Sequence, residues 1–207
     1  DQLPQRLECF DISHSSGEAT VASCVVFDQN GPRRVDYRLF NIKGITAGDD
    51  YAAMEQVIKR RYTKLKQRQT KLPDVLVIDG GQGQLERAMK IIVELQLQDL
   101  FVLGIAKGST RKAGFERIFN AWSKAEITIS PDSPALQLLQ HIRDESHQFS
   151  LNGHRRQRGQ QRTQSKLQQI KGIGPKRRQA LLQYFGSVSE VSKASVNELT
   201  KVSGLNR

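Results

Sequence analysis

The first half of the chain contains short apolar runs separated by polar turns. Three runs follow closely on one another, at residues 7–12, 20–27 and 34–42, and their connections are short, as in Asp28–Pro32. Apolar and β-branched runs joined by short turns predict an antiparallel meander of three strands. A continuous apolar run at 75–79 predicts a strand that is covered on both faces, and the run at 101–106 predicts a further strand.

Apolar residues at helical spacing predict the helices. They span 51–66, 85–97 and 134–149, and a weaker hairpin pattern lies in 115–130. The resulting order, β-β-β-α-β-α-β-(β-β)-α, is typical of a ribonuclease H-like domain: an α/β fold with a mixed sheet flanked by helices. In that fold the first strand lies beside the strand that follows the first helix.

Two carboxylates interrupt this apolar pattern. Asp11 lies in the run LECFDI, and Asp79 ends the run VLVID. A charge at the end of an apolar strand is costly to desolvate, so a pair on predicted neighbouring strands suggests a shared task. Carboxylate oxygens suit Mg²⁺ or Mn²⁺, which would polarise a phosphate and activate water. For either acid alone, a local salt bridge or a turn would be the simpler explanation.

His147 and Asp50 are further candidates. His147 lies late on the last predicted helix and shares a face with Arg143 and Asp144. If that helix packs across the sheet, His147 could reach the metal as a ligand or transfer a proton. The alternative is a structural histidine. Asp50, next to Asp49, could instead cap the first helix.

Charge divides the chain in two. The formal net charge is +11, but residues 1–150 carry 20 Lys and Arg against 19 Asp and Glu, whereas residues 151–207 carry 12 against 2. A localised basic field is typical of binding to phosphate backbones. A solubilising tail is the alternative. We expect a domain over 1–153, a basic linker or flexible DNA-contacting segment over 154–166, and a small all-α domain over 167–207.

The small domain contains a specific local motif. The segment GIGPKRR (172–178) has glycines that permit a tight turn and a close approach to phosphate, followed by a proline suited to a first helical turn. This is the helix-hairpin-helix pattern of sequence-independent DNA binding; an ordinary helical turn with incidental basic residues is the alternative. The candidate DNA-contacting residues are Gly172, Gly174, Lys176, Arg177 and Arg178. The pattern repeats weakly over 187–205, and we expect this second motif to lack its second helix.

Several classes of function lack support. Cys9 and Cys24 are too few for a disulfide framework or a zinc site, and we expect buried, reduced thiols in a cytoplasmic protein. No apolar run is long enough for a membrane helix. The Gly80–Gly83 turn lacks the ending of a nucleotide-binding P-loop. The segment 107–114 is expected to be a polar, flexible loop.

Several motifs together resemble the C-terminal half of the UvrC family, the nuclease subunits of bacterial nucleotide excision repair. They are ECFDISH (8–14), TVASCVVF (20–27), GITAGDDYAAM (44–54), IDGGQGQL (78–85), AKGSTRKAG (106–114), DSPALQLLQHIRDESH (132–147) and GIGPKRR (172–178). The resemblance implies a ribonuclease H-like endonuclease domain and a tandem helix-hairpin-helix domain. It also implies incision of damaged double-stranded DNA on the 5′ side of a lesion.

The resemblance also implies roles and partners. Asp11, Asp79 and His147 fall on the catalytic positions, and Asp50 is a further acidic position implicated in the incision. The implied partner is the UvrB helicase, which binds mainly through regions outside this sequence; the chain begins with Asp, so we expect a fragment of a longer protein. Because histidine replaces a carboxylate usual in related nucleases, we expect one tight metal ion rather than two.

One departure from the family pattern and two alternatives remain. Gln82 stands where the family usually has a basic residue, which puts a phosphate contact there in doubt. A non-catalytic DNA-binding scaffold with a degenerate nuclease fold is the main alternative. A ribonuclease or junction resolvase on the same fold is excluded mainly by the resemblance.

Overall fold

A computed structural model of the chain describes residues 3–14, 20–106, 116–168, 170 and 172–205, with the backbone alone for 154–166 and 168. The predicted polar loop at 107–114 lies outside these residues. The chain divides into two compact units, Asp1–Gly153 and His154–Arg207. None of the helices described is long and apolar enough to cross a membrane.

The first unit is built on an eight-stranded mixed sheet. Its strands are β1 (Arg6–His14), β2 (Thr20–Asp28), β3 (Gly31–Pro32), β4 (Arg38–Asn41), β5 (Val75–Asp79), β6 (Phe101–Ala106), β7 (Arg117–Asn120) and β8 (Glu126–Ile127). They are ordered β3-β2-β1-β5-β6-β7-β8, and β4 also pairs with β2. β1 pairs with β5, and β5 with β6, in parallel, whereas the other pairs are antiparallel. This confirms the predicted ribonuclease H-like mixed sheet.

Two helices cover one face of this sheet. They are α1 (Asp50–Gln67) and α2 (Gln82–Glu94), and α1 begins at the N-cap Asp49, whose carboxylate accepts from the Ala52 amide. The apolar stripe of α1 is buried, including Met54, Ile58 and Tyr62, because it packs on the strands. Tyr51, in the first turn of the helix, is half exposed.

The first half of the long helix α3 (Pro134–Gln168) covers the opposite face. Its buried residues Leu139, Ile142, Ser146 and Ser150 recur at helical spacing, so one side of the helix faces the sheet. The Ser146 hydroxyl lies 2.9 Å from that of Ser23 on β2, which fixes this part of α3 over the first two strands.

Three predicted boundaries were wrong. The expected strand 34–42 is a 3₁₀ turn at Arg34–Asp36 followed by the short strand β4. α2 begins at Gln82 rather than Leu85, because Gly81 serves as its N-cap. α3 does not end near Phe149; its backbone stays helical through 154–166, the segment predicted to be a linker.

A buried carboxylate ties β1 to α1. Glu8 is fully buried and accepts from Arg61 Nη2 at 2.6 Å and from Arg61 Nε at 3.2 Å. Arg6 and the Tyr62 hydroxyl complete the shell at 3.1 and 3.3 Å. Because each polar partner is satisfied, the charge is tolerated inside the domain.

Three short helices follow α3 in the described part of the second unit. They are α4 (Pro175–Phe185), α5 (Val188–Lys193) and α6 (Val196–Leu199). α4 ends at Gly186, whose φ of 76° requires glycine. A capping box begins α6: the side chains of Ser195 and Glu198 each accept a hydrogen bond from the other residue's backbone amide.

Candidate functional site

Asp11 and Asp79 are register partners on the parallel strands β1 and β5. In a parallel pair, residues in register point to the same face, so the two carboxylates lie side by side at the carboxyl ends of their strands. The prediction that these two residues are neighbours is therefore confirmed. Asp11 is almost buried, with 7% of its surface exposed.

The two carboxylates lie on the face that α3 covers. Ser23 is the register partner of Asp11 on β2, and it bonds Ser146 of α3. Cys9, two positions before Asp11, lies on the same face. Burial, followed by the charges of Asp79 and Asp11, raises the pKa of the Cys9 thiol well above its usual range. The acids therefore lie beside a neutral, buried thiol rather than a competing metal ligand.

His147 is brought to this pair by α3. Its Nδ1 lies 3.7 Å from Asp11 Oδ2, while about half of its side chain (53%) remains exposed. Ser146 points into the sheet, so the next residue along the helix lies at the edge of the buried face. The three residues predicted from the sequence therefore meet near the carboxyl ends of the central strands β1 and β5, with the histidine on the solvent side.

The donor set fits a hard divalent ion. Two adjacent carboxylates provide oxygen ligands of the kind that Mg²⁺ and Mn²⁺ prefer. Within the described ranges, no three His, Cys, Asp or Glu side chains are grouped closely enough to form a complete cage. Mg²⁺ sites commonly use one or two carboxylates, with water and substrate phosphate as the other ligands, so this open arrangement suits a nuclease.

Asp50 lies in a different cluster. Its carboxylate contacts His14 Nε2 and accepts from Gln84 Nε2 at 3.1 Å, while His14 Nδ1 lies 3.0 Å from the Thr20 hydroxyl. His14 lies an odd number of positions after Asp11 on β1, so the two side chains point to opposite faces. Asp49, not Asp50, caps the helix.

Close packing explains why glycine occupies positions 80 and 83, shortly after Asp79. A Cβ at Gly80 would overlap the Gln84 side chain, which reaches over this backbone toward Asp50. A Cβ at Gly83 would lie 2.6 Å from the Tyr51 ring, so glycine is required for α1 and α2 to approach closely. The loop is thus shaped by packing between the two helices.

The first hairpin has the predicted form. Gly172 has a φ of 92°, Gly174 is the N-cap of α4 and Pro175 is its first residue. Arg177 Nη1 donates to the Gly172 carbonyl at 2.8 Å, so this arginine also fastens the turn. Lys176 is exposed.

The second hairpin repeats the turn. Gly204 has a φ of 86°, and the Leu205 amide donates to Val202 at 3.1 Å, as the Ile173 amide does to Ile170. Both turns therefore share this hydrogen bond and a glycine of positive φ. Residues 206 and 207 lie outside the described part of the chain.

His14, Gln84 and Ser146 were not among the predicted site residues. His14 follows Asp11 by three positions on the same strand, and Ser146 precedes His147, so proximity to the candidates was the available signal. Gln84 gave no comparable signal, since its contact with Asp50 joins two helices.

Comparison with known proteins places both units. Residues 1–151 match the family model described as the UvrC RNAse H endonuclease domain, and residues 165–207 match the SAM-like helix-hairpin-helix tandem. Similar relatives are the UvrABC system protein C of Pseudomonas fluorescens strain Pf-5, 56% identical, and that of Ectopseudomonas mendocina, 55% identical. Each match covers the whole chain and 34% of the relative, so the chain spans about a third of their length.

Solved structures give more distant likenesses. The Ciona intestinalis endonuclease V in complex with a 24mer DNA is 22% identical, with a TM-score of 0.36 over 51% of this chain and 47% of that one. Aquifex aeolicus Argonaute gives 16% identity and a TM-score of 0.38, over 58% of this chain and 17% of that one. The family model covers most of the chain and matches the fold, and the chain therefore belongs to the UvrC family.

Proposed function

We propose that this chain is the part of a DNA repair nuclease that hydrolyses a phosphodiester bond on the 5′ side of a lesion. The observation that supports this most strongly is the pairing of Asp11 with Asp79 in register on adjacent parallel strands. Membership in the UvrC family and the two hairpins of the second unit agree with it.

The carboxylates of Asp11 and Asp79 would hold Mg²⁺ or Mn²⁺, with His147 as a third ligand or a proton carrier. Such an ion, when bound, supplies charge at the scissile phosphate and acidifies the attacking water. His147 is half exposed and close to Asp11, so it can exchange protons with solvent as it faces the substrate. Ser146 anchors α3 on Ser23 and so holds His147 over the pair.

Asp50 would act by positioning rather than by touching the phosphate. Its carboxylate holds Gln84, and the Gln84 side chain lies across Gly80, the residue that follows Asp79. His14 contacts the other carboxylate oxygen and joins this cluster to the end of β1. Loss of Asp50 would therefore loosen the loop next to one metal ligand.

Binding to the duplex would come from the hairpins. Amides freed at the start of α4, next to Gly172 and Gly174, can contact phosphate, and Lys176, Arg177 and Arg178 add positive charge. These contacts carry no base specificity. Damaged double-stranded DNA is therefore the proposed substrate, recognised as damaged by partners rather than by this chain.

The proposed partner is the UvrB helicase, which the name of the UvrABC system protein C relatives suggests. Those relatives are about three times longer than this chain, so the contact would lie mainly outside it. The proposed site of action is the bacterial cytoplasm.

Nicking of supercoiled plasmid tests this function. We expect nicks with Mn²⁺ or Mg²⁺ and none with EDTA, and none from Asp11→Asn or Asp79→Asn, whose affinity for DNA should be unchanged. Undiminished nicking by both variants would place the active site elsewhere.

A DNA-binding scaffold is the second candidate. The two hairpins of the second unit would serve such a scaffold equally well. It predicts DNA binding without metal-dependent nicks, even when the chain is joined to its N-terminal half and its helicase partner is present.

A further inference from the structure

A basic cleft lies in the first unit, outside the site of Asp11 and Asp79. It encloses about 540 Å³ between the start of β1, the β4 edge and the C-terminal half of α1. Eight of the twenty Lys and Arg in residues 1–150 line it, against two acids. Sites for small organic ligands are mostly apolar with few polar groups, so this lining favours a polyanion.

Most of this charge is not neutralised. The two acids, Asp28 and Asp36, are already paired with Arg33, and Asp36 also with Arg6. Five exposed cations of the cleft have no carboxylate partner anywhere in the described ranges: Arg38, Arg60, Lys64, Arg68 and Lys71. We call these five the free cations of the cleft.

Three of the free cations are arranged in a row along α1. Arg60 and Lys64 of α1 and its C-cap residue Arg68 follow one another at intervals of four, so they share one face. Like charges at this spacing destabilise a helix. The helix dipole at the C-terminus of α1 partly compensates the charges of Lys64 and Arg68. Arg60 lies in mid-helix and Arg38 lies on β4, so the dipole does not compensate their charges. A bound anion would offset the repulsion along the whole row.

Two features hold the cleft in shape. The buried Glu8 fixes Arg61 through two of its nitrogens, which makes one wall rigid. Arg60 lies over the half-buried Phe40 ring at 5.3 Å and donates to the Asn41 carbonyl at 3.1 Å. An arginine fixed on an aromatic ring presents a flat cationic surface, which suits a sugar-phosphate backbone.

The cleft is remote from the candidate metal ligands. Arg6 begins β1, whereas Asp11 lies five positions later, roughly 16 Å along the strand. The cleft also opens on the face covered by α1, whereas Asp11 and Asp79 face α3. One short stretch of straight duplex cannot occupy both the cleft and the site of Asp11 and Asp79.

We infer that this cleft is a second nucleic-acid site, which binds the sugar-phosphate backbone of a DNA segment other than the one at Asp11 and Asp79. The inference rests on the proposed function only in taking DNA as the polyanion. It gives the nuclease unit an affinity for DNA that does not depend on the hairpins. Duplex and single strand share this backbone, and the test distinguishes them.

Salt dependence of DNA binding tests the cleft. The variant Arg60→Gln, Lys64→Gln, Arg68→Gln, Lys71→Gln removes four free cations; the matched control Lys43→Gln, Arg87→Gln, Lys90→Gln, Lys124→Gln removes the same charge elsewhere. Both are made on the Asp11→Asn chain and measured in EDTA, with duplex and with single-stranded DNA. The result therefore does not depend on whether the chain cuts.

Each phosphate contact contributes about 0.9 to the slope of log affinity against log salt for duplex and about 0.7 for a single strand. We expect the cleft variant to lower the slope by about 2 or more for at least one DNA form, and the control by less than about 0.5. The loss should add to that of a hairpin variant, since the two sites are independent. Equal slopes for the cleft variant and the control would overturn the inference.

Cross-linking locates the DNA. Gln67 lines the same surface of α1, so a photoreactive group on Gln67→Cys should cross-link to DNA, whereas one on Gln137→Cys, on α3, should not. Cys9 and Cys24 are buried and should not take the label. The inference requires both the slope and the cross-link; equal cross-linking at the two positions would also overturn it.

Discussion

Asp11 and Asp79 lie side by side on adjacent parallel strands, although 68 positions separate them in the sequence. Two carboxylates held this close disfavour each other's charged form, and a divalent cation between them removes that cost. The proposed metal site would thus be formed by the fold before any metal binds. Ser146 and His147, consecutive on α3, then divide two tasks: one anchors the helix and the other faces the pair.

Asp50→Asn should lower the nicking rate roughly ten- to a hundredfold while leaving Mn²⁺ affinity nearly unchanged, because Asp50 positions the loop after Asp79 rather than holding metal. Single-turnover nicking and a metal titration measure the two effects. Asp49→Asn is the matched control, since asparagine caps a helix as well as aspartate does. Loss of tight Mn²⁺ binding in Asp50→Asn would make it a ligand instead.

Replacing Lys176, Arg177 and Arg178 by Gln should weaken duplex binding and lower the slope against salt by about 2. Fluorescence anisotropy at several salt concentrations measures this. Arg177→Lys separates two roles, since it keeps the charge but loses the bond to the Gly172 carbonyl. An unchanged salt slope in the triple variant would show that the hairpin does not contact phosphate.

Glu8→Ala should destabilise the first unit by about 3–5 kcal/mol, because it leaves the Arg61 guanidinium without its carboxylate inside the domain. Urea unfolding measures the loss. Glu8→Ala with Arg61→Met should recover part of it, since no charge is then left buried. Glu126→Ala, which breaks an exposed pair with Arg117, should cost far less. Similar losses for the two single variants would contradict a buried network.

Stability should fall at alkaline pH. Burial raises the pKa of the Cys9 and Cys24 thiols and of the Tyr62 phenol, so these groups stay protonated in the folded chain. An unfolded thiol ionises near pH 8.5. The stabilisation is therefore complete below that pH and is lost above it, by about 1.4 kcal/mol per pH unit for each thiol.

The free energy of unfolding measured between pH 8 and 10 checks this. Cys9→Ala and Cys24→Ala should each flatten the decline, whatever their effect on stability at pH 7. A decline of equal slope in the double variant would assign the alkaline loss to other groups.

The central relationship of the site could be predicted from the sequence. The runs 75–79 and 101–106 match β5 and β6 at both ends, because buried parallel strands are continuous apolar runs with sharp limits. Once the order of elements indicated the fold, its topology placed Asp11 beside Asp79. Because the topology determines which strands are neighbours, this contact could be predicted without any local signal.

Other features could not be predicted because their partners are distant. Glu8 stands inside the apolar run of β1, but its partner Arg61 lies 53 positions away on α1. The row of cations on α1 looks in sequence like the solvated face of an amphipathic helix. The extension of α3 through 154–166 has no apolar periodicity to mark it, so polarity alone suggested a linker.

Titration of the metal-free chain with Mn²⁺, followed by the EPR signal of the free ion, tests the central claim most directly. We predict one tight site per chain, lost in both Asp11→Asn and Asp79→Asn, weakened in His147→Ala and retained in Asp50→Asn. Equal tight binding by the chain and by the Asp11→Asn, Asp79→Asn double variant would contradict the account, because the paired carboxylates would then not be the metal site.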